Sequence, residues 1–297
     1  MCPLLALVVS FSTTAACGAE PLKPPSDSST FSILFENDLF GDTDQQYTNG
    51  VQIGWMSPDL TRFAQADRVP NWLLPVVAKL PWINEPDTQR NVGFSLGQKI
   101  FTPENTQRSK LVTDDRPYAG WLYGGLIFTS KIANRMDMFE LQFGIIGPAA
   151  QAEEAHNFIH DLRDLEKAGG WSNQLDNEPG LALIYERKWR PLKSDNSTGF
   201  GYDVITHAGA AVGNVFTYAN AGVETRIGWN LPGDFGTSYI RPGAAQMHQA
   251  PSMIFVFVAK KPMASMFSRR LPDASSGEIY FSTAIVFGTA TASIKKI

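Results

Sequence analysis

The sequence predicts an all-β fold, an antiparallel transmembrane β-barrel that carries a short helix in an extracellular loop. Three observations lead to this fold class. Segments of roughly nine to eleven residues alternate between apolar and polar side chains, which is the period of a barrel wall. No apolar run reaches the ~18 residues of a transmembrane helix. Of the 297 residues, 18% are charged, 11% are aromatic and 25 are glycine, a composition typical of many short strands and turns.

The first element along the chain is a signal peptide, expected at residues 1–19. A short apolar run there is followed by small residues, which is typical of an export signal and its cleavage site. Cleavage is expected after Ala16 or Ala19, although Cys17 leaves a lipoprotein signal open. No Lys or Arg precedes the apolar run, so the true start of the chain is open as well. We therefore expect export, with a barrel domain at residues 28–297.

The wall of the barrel is predicted from the alternation itself. In residues 30–38, Phe31 and Ile33 point to one side, and Ser32 and Glu36 point to the other. A soluble β-sandwich would show the same period with its polar face in water. Aromatic residues near the strand ends favour the membrane, where they form girdles at both interfaces; they are Trp55, Trp121, Tyr123, Trp189 and Trp229. Further wall strands are expected at residues 47–55, 91–101, 120–129, 135–145, 180–189, 199–213 and 217–230.

Two insertions are expected to be helical. Residues 71–82 form a short apolar helix that could lie on a membrane interface or plug one end of the barrel. Residues 151–167 form a clearer helix, which the glycine pair at 169–170 stops. Its apolar side carries Ala155, Phe158, Ile159, Leu162 and Leu165. With the mature N-terminus in the periplasm, the extracellular loops fall at residues 41–46, 102–118 and 147–179.

The composition excludes several functions. The net charge of −4 and the pI near 5.6 give no overall basic character, so no nucleic-acid partner is expected. The chain has no Gly-x-Ser-x-Gly motif, and both cysteines, Cys2 and Cys17, lie in the signal peptide. A serine nucleophile of that type and a cysteine nucleophile are therefore not expected. The protein is expected to be a monomer.

Polar residues gather where the outer loops begin. Asp38, Asp42 and Asp44 could supply hard oxygen ligands for Ca²⁺, although a polar hairpin loop would have the same composition. In the next outer loop, Arg108 and Lys110 could hold phosphate, or they could simply be solvated. These two groups make the outer end of the barrel the place to look for chemistry.

The loop helix carries the third group of candidates. His156 and His160 are four residues apart and therefore share a helix face. Such a pair could bind Zn²⁺, but the metalloprotease motif places a glutamate directly after its first histidine, where this chain has Asn157. Alternatively, one imidazole acts as a general base, because its pKa lies near neutral pH. Two surface histidines without a function are the third alternative.

Several short motifs follow one another in a specific order along the chain. They are residues 36–40, 47–50, 98–103, 115–121, 147–150, 170–178 and 230–236, together with His160. Taken in order, these segments resemble the LpxR-type lipid A 3-O-deacylases of the Gram-negative outer membrane, and the similarity runs from about residue 30 to residue 243. The resemblance implies a twelve-stranded barrel whose active site lies near the outer leaflet, between wall and helix. It also implies Ca²⁺-dependent hydrolysis of the 3-linked acyloxyacyl ester of lipid A, within lipopolysaccharide.

The resemblance also implies roles for individual residues. By position, Asp38 corresponds to the metal ligand and His160 to the general base. His156 is a departure, because a family member has glutamine at this place. The other implied site residues are Asn37, Thr48 with its hydroxyl, Glu166 with its carboxylate, and Arg108, which lies nearest the family's lysine and could exchange places with Lys110.

The end of the chain departs from this pattern. The resemblance fades after residue 243, residues 259–276 lack alternation, and about ten strands can be counted. An open sheet edge in lipid costs several kcal/mol for each unpaired backbone group. We therefore expect residues 259–297 to be frameshifted or truncated, so that the barrel is incomplete. Two alternatives to a deacylase stay open: an inactive, passive barrel or pore, which His156 and the altered tail suggest, and a barrel phospholipase.

Overall fold

The computed structural model describes most of the wall and the loops at its two ends. The signal peptide expected at residues 1–19 and the expected site residues Asp38 and Thr48 lie outside the described residues, as do Asp42 and Asp44. The described residues are 28–37, 49–66, 69, 71–103, 105–110, 115, 117–162, 164, 166–194, 199–229, 231, 233–236, 255–262 and 279–287.

Ten β-strands in the described residues form one antiparallel sheet that curls as part of a barrel, which confirms the predicted fold class. The order is β10-β8-β7-β6-β5-β4-β3-β2-β1-β9, so β1 to β8 form a continuous meander. Within the described part of the chain, no helix is long and apolar enough to cross a membrane. The twelve strands implied by the resemblance stay a prediction. The strands are β1 (Ser28–Asn37), β2 (Asn49–Met56), β3 (Gln89–Phe101), β4 (Ala119–Ile132), β5 (Arg135–Ile146), β6 (Glu178–Lys193), β7 (Phe200–Gly213), β8 (Tyr218–Trp229), β9 (Phe255–Pro262) and β10 (Ile279–Phe287).

The strand register confirms the alternation predicted from the sequence. Leu96, Gly124, Phe143 and Leu181 stand side by side in one row across β3 to β6. The exposed fraction is 57% for Leu96 and 53% for both Phe143 and Leu181. These apolar side chains cover the convex face of the sheet, as the period of two requires for a wall that faces lipid.

The concave face is polar and closely packed. Lys99 is fully buried, and its Nζ donates to Oε1 of Gln142 at 3.3 Å. The same ammonium lies 4.6 Å from the ring centre of Tyr123 and 4.7 Å from that of Phe216, within cation–π distance. Phe216 belongs to the connection between β7 and β8, four strands away from Lys99 in the sheet. Side chains of β3 and of the β7–β8 connection therefore meet on the concave side of the sheet at this level.

The first insertion lies on the convex face of the wall. Only α1 (Leu74–Val77) is helical within the predicted span of residues 71–82, because prolines stand at its start and just beyond its end. The buried Val77 packs in one cluster with Phe128 and Phe139, which belong to β4 and β5. The alternative in which this helix plugs the barrel is therefore wrong.

The second insertion forms α2 (Ala152–Leu162), which is shorter than the predicted span of residues 151–167. Asp164 takes a left-handed conformation, with φ of 52°, and this ends the helix before the glycine pair. The expected apolar side is not a core face, since 65% of Phe158 and 72% of Leu162 are exposed. The helix instead packs on the wall through small side chains.

The last two strands lie in the part of the chain where the sequence shows little alternation. β9 pairs antiparallel with β1, from Pro262 opposite Ser28 to Phe255 opposite Phe35, and β10 pairs antiparallel with β8. Strand structure therefore extends to residues 259–262 and 279–287, within the segment expected to be irregular. The frameshift itself stays a prediction.

Candidate functional site

Helix α2 and the turn before it rest directly on the wall, at the ends of β3 and β4. Gly120 lies on the convex face at this point. A Cβ atom on residue 120 would lie 2.6 Å from the Cβ of Ala152 and 2.8 Å from the Cβ of Ala150. Both distances are shorter than van der Waals contact, so only glycine permits this approach. These small residues set the distance between the helix and the wall.

Hydrogen bonds fix the turn in this position. Gln98 on β3 donates from Nε2 to the carbonyl oxygens of Ala150, at 2.7 Å, and Gln151, at 3.2 Å. The amide of Gly147 donates to the carbonyl of Gly120 at 3.1 Å. Gly147 has φ of 97°, a conformation that other residues rarely adopt. Gln98 and Gly147 therefore hold the start of α2 on the wall.

Two aromatic rings fill the space beneath the helix. The ring centres of Tyr118 and Trp171 are 4.8 Å apart, and Trp171 meets the His156 ring edge-on at 5.7 Å. The Tyr118 hydroxyl donates to the carbonyl of Thr106 at 2.8 Å, and the Gly169 amide donates to the same oxygen at 2.9 Å. The chain after α2 is thereby tied to the preceding outer loop.

His156 is buried in this packing. It is 2% exposed, and its ring centre lies 4.1 Å from that of His160. Neither of its ring nitrogens has a hydrogen-bond partner among the described residues. Burial, and to a smaller extent the charge of His160, lower the pKa of His156 to about 4. The His156 imidazole is therefore neutral near pH 7 and packs against the second histidine.

His160 has the geometry of a proton acceptor. Its side chain is partly exposed, and its Nδ1 is hydrogen-bonded to the backbone carbonyl of Glu166. A carbonyl oxygen can only accept, so Nδ1 carries the proton and Nε2 keeps its lone pair. Among the described residues, no group of three His, Cys, Asp or Glu side chains could hold a metal ion. The two histidines thus lack a third Zn²⁺ ligand within that part of the chain.

Among the described site residues, Glu166 contacts the helix, and Arg108 packs on the chain that follows it. Glu166 meets His160 through its backbone, and its side chain is exposed. The carbonyl oxygen of Arg108 lies 2.7 Å from where a Cβ of Gly170 would stand, so the outer loop packs on the chain after α2. The side chains of Arg108 and Lys110 are both exposed. Both cations therefore remain candidates for contact with an anionic group.

Asn37 ends β1 in the same row of the sheet as the helix contact. It pairs with Asn49 of β2, which pairs with Ile100 of β3. Ile100 is buried in one cluster with residues of α2. Neighbouring strands are ~4.8 Å apart, so the backbone of Asn37 lies about 10 Å from that of Ile100. Asp38 follows Asn37 directly, outside the described residues.

Three contributors to this site were not assigned these roles from the sequence. Tyr118 and Trp171 occur in motifs that identify the family, but their packing under His156 was not foreseen. Gln98 lies in a segment that carries the family resemblance, but its support of the helix turn was not foreseen. The sequence did contain an indication of the aromatic pair, because a large aromatic residue in a polar outer loop is expected to pack against another part of the protein.

The close approach at Gly120 generates a prediction with a matched control. Gly120→Ala places a Cβ against Ala150 and Ala152, and we expect α2 to leave the wall and its amides to exchange faster with solvent. Gly124→Ala lies on the same face of the same strand, where the nearest atom would be 3.5 Å away, and should leave exchange unchanged. Hydrogen–deuterium exchange of residues 152–162 measures both. Equal protection of α2 in the two variants would contradict the contact.

The burial of His156 generates a prediction about acid stability. Its pKa falls from 6.5 to about 4 in the folded protein, so between these values the unfolded chain binds more protons than the folded one. Stability should therefore decrease as the pH falls from 6.5 to 4. His156→Gln should remove this part of the decrease, which urea midpoints at several pH values measure. Equal pH dependence in wild type and His156→Gln would contradict the burial of a neutral imidazole.

Comparison with known proteins agrees with the architecture. A family model described as outer membrane protein LpxR matches residues 4–268. The solved structure of LpxR from Salmonella typhimurium is similar to this chain, with a TM-score of 0.50 and 22% sequence identity. The match covers 68% of this chain and 64% of that chain, so it spans just under two thirds of that protein. No curated protein matches. Because the family model covers most of the sequence, this chain belongs to the LpxR family of outer membrane proteins.

Proposed function

We propose that the protein is a lipid A 3-O-deacylase, which hydrolyses the 3-linked acyloxyacyl ester of lipopolysaccharide at the outer leaflet. The observation that carries the proposal is His160, whose Nδ1 is bonded to the Glu166 carbonyl and whose Nε2 is left as an acceptor. This base stands on a helix that is docked to the convex face of the wall. Membership of the LpxR family supports the same function.

The position of α2 suits a lipid substrate. The helix packs on Ile100, four residues beyond Leu96, whose side chain belongs to the exposed apolar row. This separation is about 13 Å along the strand, so the helix borders the lipid-facing surface. Phe158 and Leu162 are exposed on α2 near His160. Such an apolar surface would contact acyl chains while the polar end of lipid A reaches the base.

The proposed chemistry is direct hydrolysis by water. His160 Nε2 takes a proton from the water as its oxygen attacks the ester carbonyl. The tetrahedral intermediate then collapses, the bond to the sugar oxygen breaks, and His160 returns the proton to that leaving oxygen. The products are a fatty acid and a free hydroxyl on lipid A. The exposed Arg108 and Lys110 would bind a lipid A phosphate and orient the ester.

Ca²⁺ is part of this proposal. The Asp38 carboxylate, the Asn37 amide oxygen and the Thr48 hydroxyl are hard oxygen donors, the ligand type that Ca²⁺ prefers. The register puts the Asn37 backbone in the row that ends beneath α2, which supports a site at this end of the wall. A bound Ca²⁺ would supply positive charge for the oxyanion that forms at the ester.

A passive pore is the less favoured alternative. Lys99 and Gln142 are buried and hydrogen-bonded on the concave face, and the Lys99 ammonium also contacts the rings of Tyr123 and of Phe216 in the β7–β8 connection. A water-filled channel needs an open lumen, whereas the described part of the wall packs side chains into it. The polar groups on the concave face are therefore better explained as a packed interior.

The role of His160 can be tested by two substitutions on one helix. His160→Ala removes the proton acceptor and should lower turnover by about 10²–10⁴-fold, as is usual for a lost general base. His156→Gln should leave turnover unchanged or raise it, because the neutral His156 takes no part in the proton transfer. Turnover is measured as release of the 3-linked acyl group from lipopolysaccharide. The proposal fails if His156→Gln inactivates the protein and His160→Ala does not.

The role of Ca²⁺ is tested at Asp38. Asp38→Ala removes the anionic ligand, so activity and its dependence on Ca²⁺ should be lost together. Asp176→Ala, an exposed carboxylate at the same end of the barrel, serves as the control and should retain both. Activity is measured over a Ca²⁺ titration after chelation. Full wild-type activity in excess chelator would remove Ca²⁺ from the mechanism.

A further inference from the structure

The segment between β2 and β3 covers the convex face of the wall at the end opposite to α2. We refer to residues 57–88 as the basal segment. Beneath it, Val92, Phe128, Phe139 and Tyr185 form one row across β3 to β6. By alternation these positions face lipid, yet three of them are buried: 1% of Val92, 4% of Phe128 and 7% of Phe139 are exposed. The basal segment therefore occupies a place on the wall that lipid would otherwise fill.

The boundary of this cover is sharp. Four residues further along each strand, Leu96 and Phe143 point to the same side and are 57% and 53% exposed. Four residues further along β3, Ile100 is buried again, this time beneath α2. From Val92 to Ile100 the wall rises by about 26 Å along the strand, or about 20 Å along the barrel axis at the usual strand tilt. This is close to the ~25 Å height of the apolar band on outer-membrane barrels.

The basal segment presents large apolar side chains outward. Trp72 is 73% exposed, Val76 is 53% exposed and Trp82 is 48% exposed. The Trp82 ring lies 5.0 Å from that of Tyr185 and 5.3 Å from the guanidinium of Arg187. Tryptophan with an apolar body and a polar N–H is the residue typical of a membrane–water boundary. Trp82 thereby joins the basal segment to the aromatic side chains of the wall.

Ion pairs hold the basal segment to the strand ends. Asp59 pairs with Lys131 at 2.8 Å, and Glu85 pairs with Arg135. Lys131 lies next to the last residue of β4, and Arg135 is the first residue of β5, so the segment is fixed at two points near the β4–β5 turn. Its exposed aromatic side chains consequently have a defined position relative to the wall.

The loop lengths identify the side of the membrane. At the basal end, β4 and β5 are joined by the two residues between Ile132 and Arg135, and β6 and β7 by residues 194–199, so the basal segment is the one long connection of the β1–β8 meander at this end. At the other end, β1 and β2 are joined by residues 38–48, β3 and β4 by residues 102–118, and β5 and β6 by residues 147–177, while only β7 and β8 are joined by a short connection, residues 214–217. Outer-membrane barrels have short periplasmic turns and long extracellular loops. The basal segment therefore lies on the periplasmic side.

From these observations we infer that the basal segment is an interfacial anchor, which inserts Trp72, Val76 and Trp82 into the phospholipid surface of the periplasmic leaflet. The exposed row at Leu96 is continuous with this surface, so phospholipid already borders the segment on one side. The ion pairs engage Asp59 and Glu85, and the exposed apolar side chains of Trp72, Val76 and Trp82 are left as outward contacts. The inference concerns membrane contact and does not depend on the deacylase proposal.

Spin-label accessibility tests the anchor in the full-length protein, folded in phosphatidylethanolamine and phosphatidylglycerol vesicles. Cys2→Ser and Cys17→Ser provide the background. Val76→Cys is compared with Leu96→Cys, on the exposed wall, and Asp176→Cys, in an exposed outer loop. The label at residue 76 should collide with oxygen more often than with a water-soluble nickel complex. Its ratio of oxygen to nickel collision rates should lie between the ratios of the two control labels and closer to that of the label at residue 96.

Two outcomes would overturn the anchor. A label at 76 as accessible to the nickel complex as the label at 176 would place the segment in water. A label at 76 shielded from both reagents would indicate a protein contact instead. Tryptophan fluorescence gives a second measurement without labels: lipids brominated near the headgroup should quench wild type, and Trp72→Phe should lose part of this quenching. Identical quenching in Trp72→Phe and wild type would also contradict insertion.

Discussion

At residue 120 the wall approaches the turn before α2 so closely that no Cβ fits between them. This contact places the helix on the convex face, because Gly120 admits Ala150 and Ala152 to the backbone of β4. Gln98 and Gly147 then fix the turn by hydrogen bonds. This contact therefore determines where the two histidines of the helix lie relative to the wall. A histidine held in this way stands beside the lipid-facing surface of the wall, whereas a histidine on the concave face would meet polar, buried side chains such as Lys99 and Gln142.

The two histidines of α2 differ in burial and in hydrogen bonding. His156 faces the wall and Trp171, where burial keeps it neutral. His160, one turn later, is partly exposed, and the Glu166 carbonyl fixes the proton on Nδ1. The neutral neighbour adds no positive charge near His160 at neutral pH. Acidification below pH 6.5 opposes the burial of His156, because the unfolded chain then binds a proton that the buried ring does not.

The wall was predictable from the sequence because a period of two is a local signal, and all eight strands predicted up to residue 230 are present. The helix at 152–162 was predictable from its own composition. Three features were not, because they depend on tertiary contacts: the docking of residues 57–88 on the convex face, the burial of His156, and the pairing of β9 with β1. The roles of Asp38 and Thr48 stay predictions.

We propose that this barrel removes one particular acyl group from lipid A. Mass spectrometry of both lipids tests this after the purified protein acts, with Ca²⁺, on vesicles that contain lipopolysaccharide and phosphatidylethanolamine. Lipid A should lose its 3-linked acyloxyacyl group, and the phospholipid should stay unchanged. Unchanged lipid A would contradict the claim and indicate a passive barrel, and fatty acid released from the phospholipid would indicate a phospholipase.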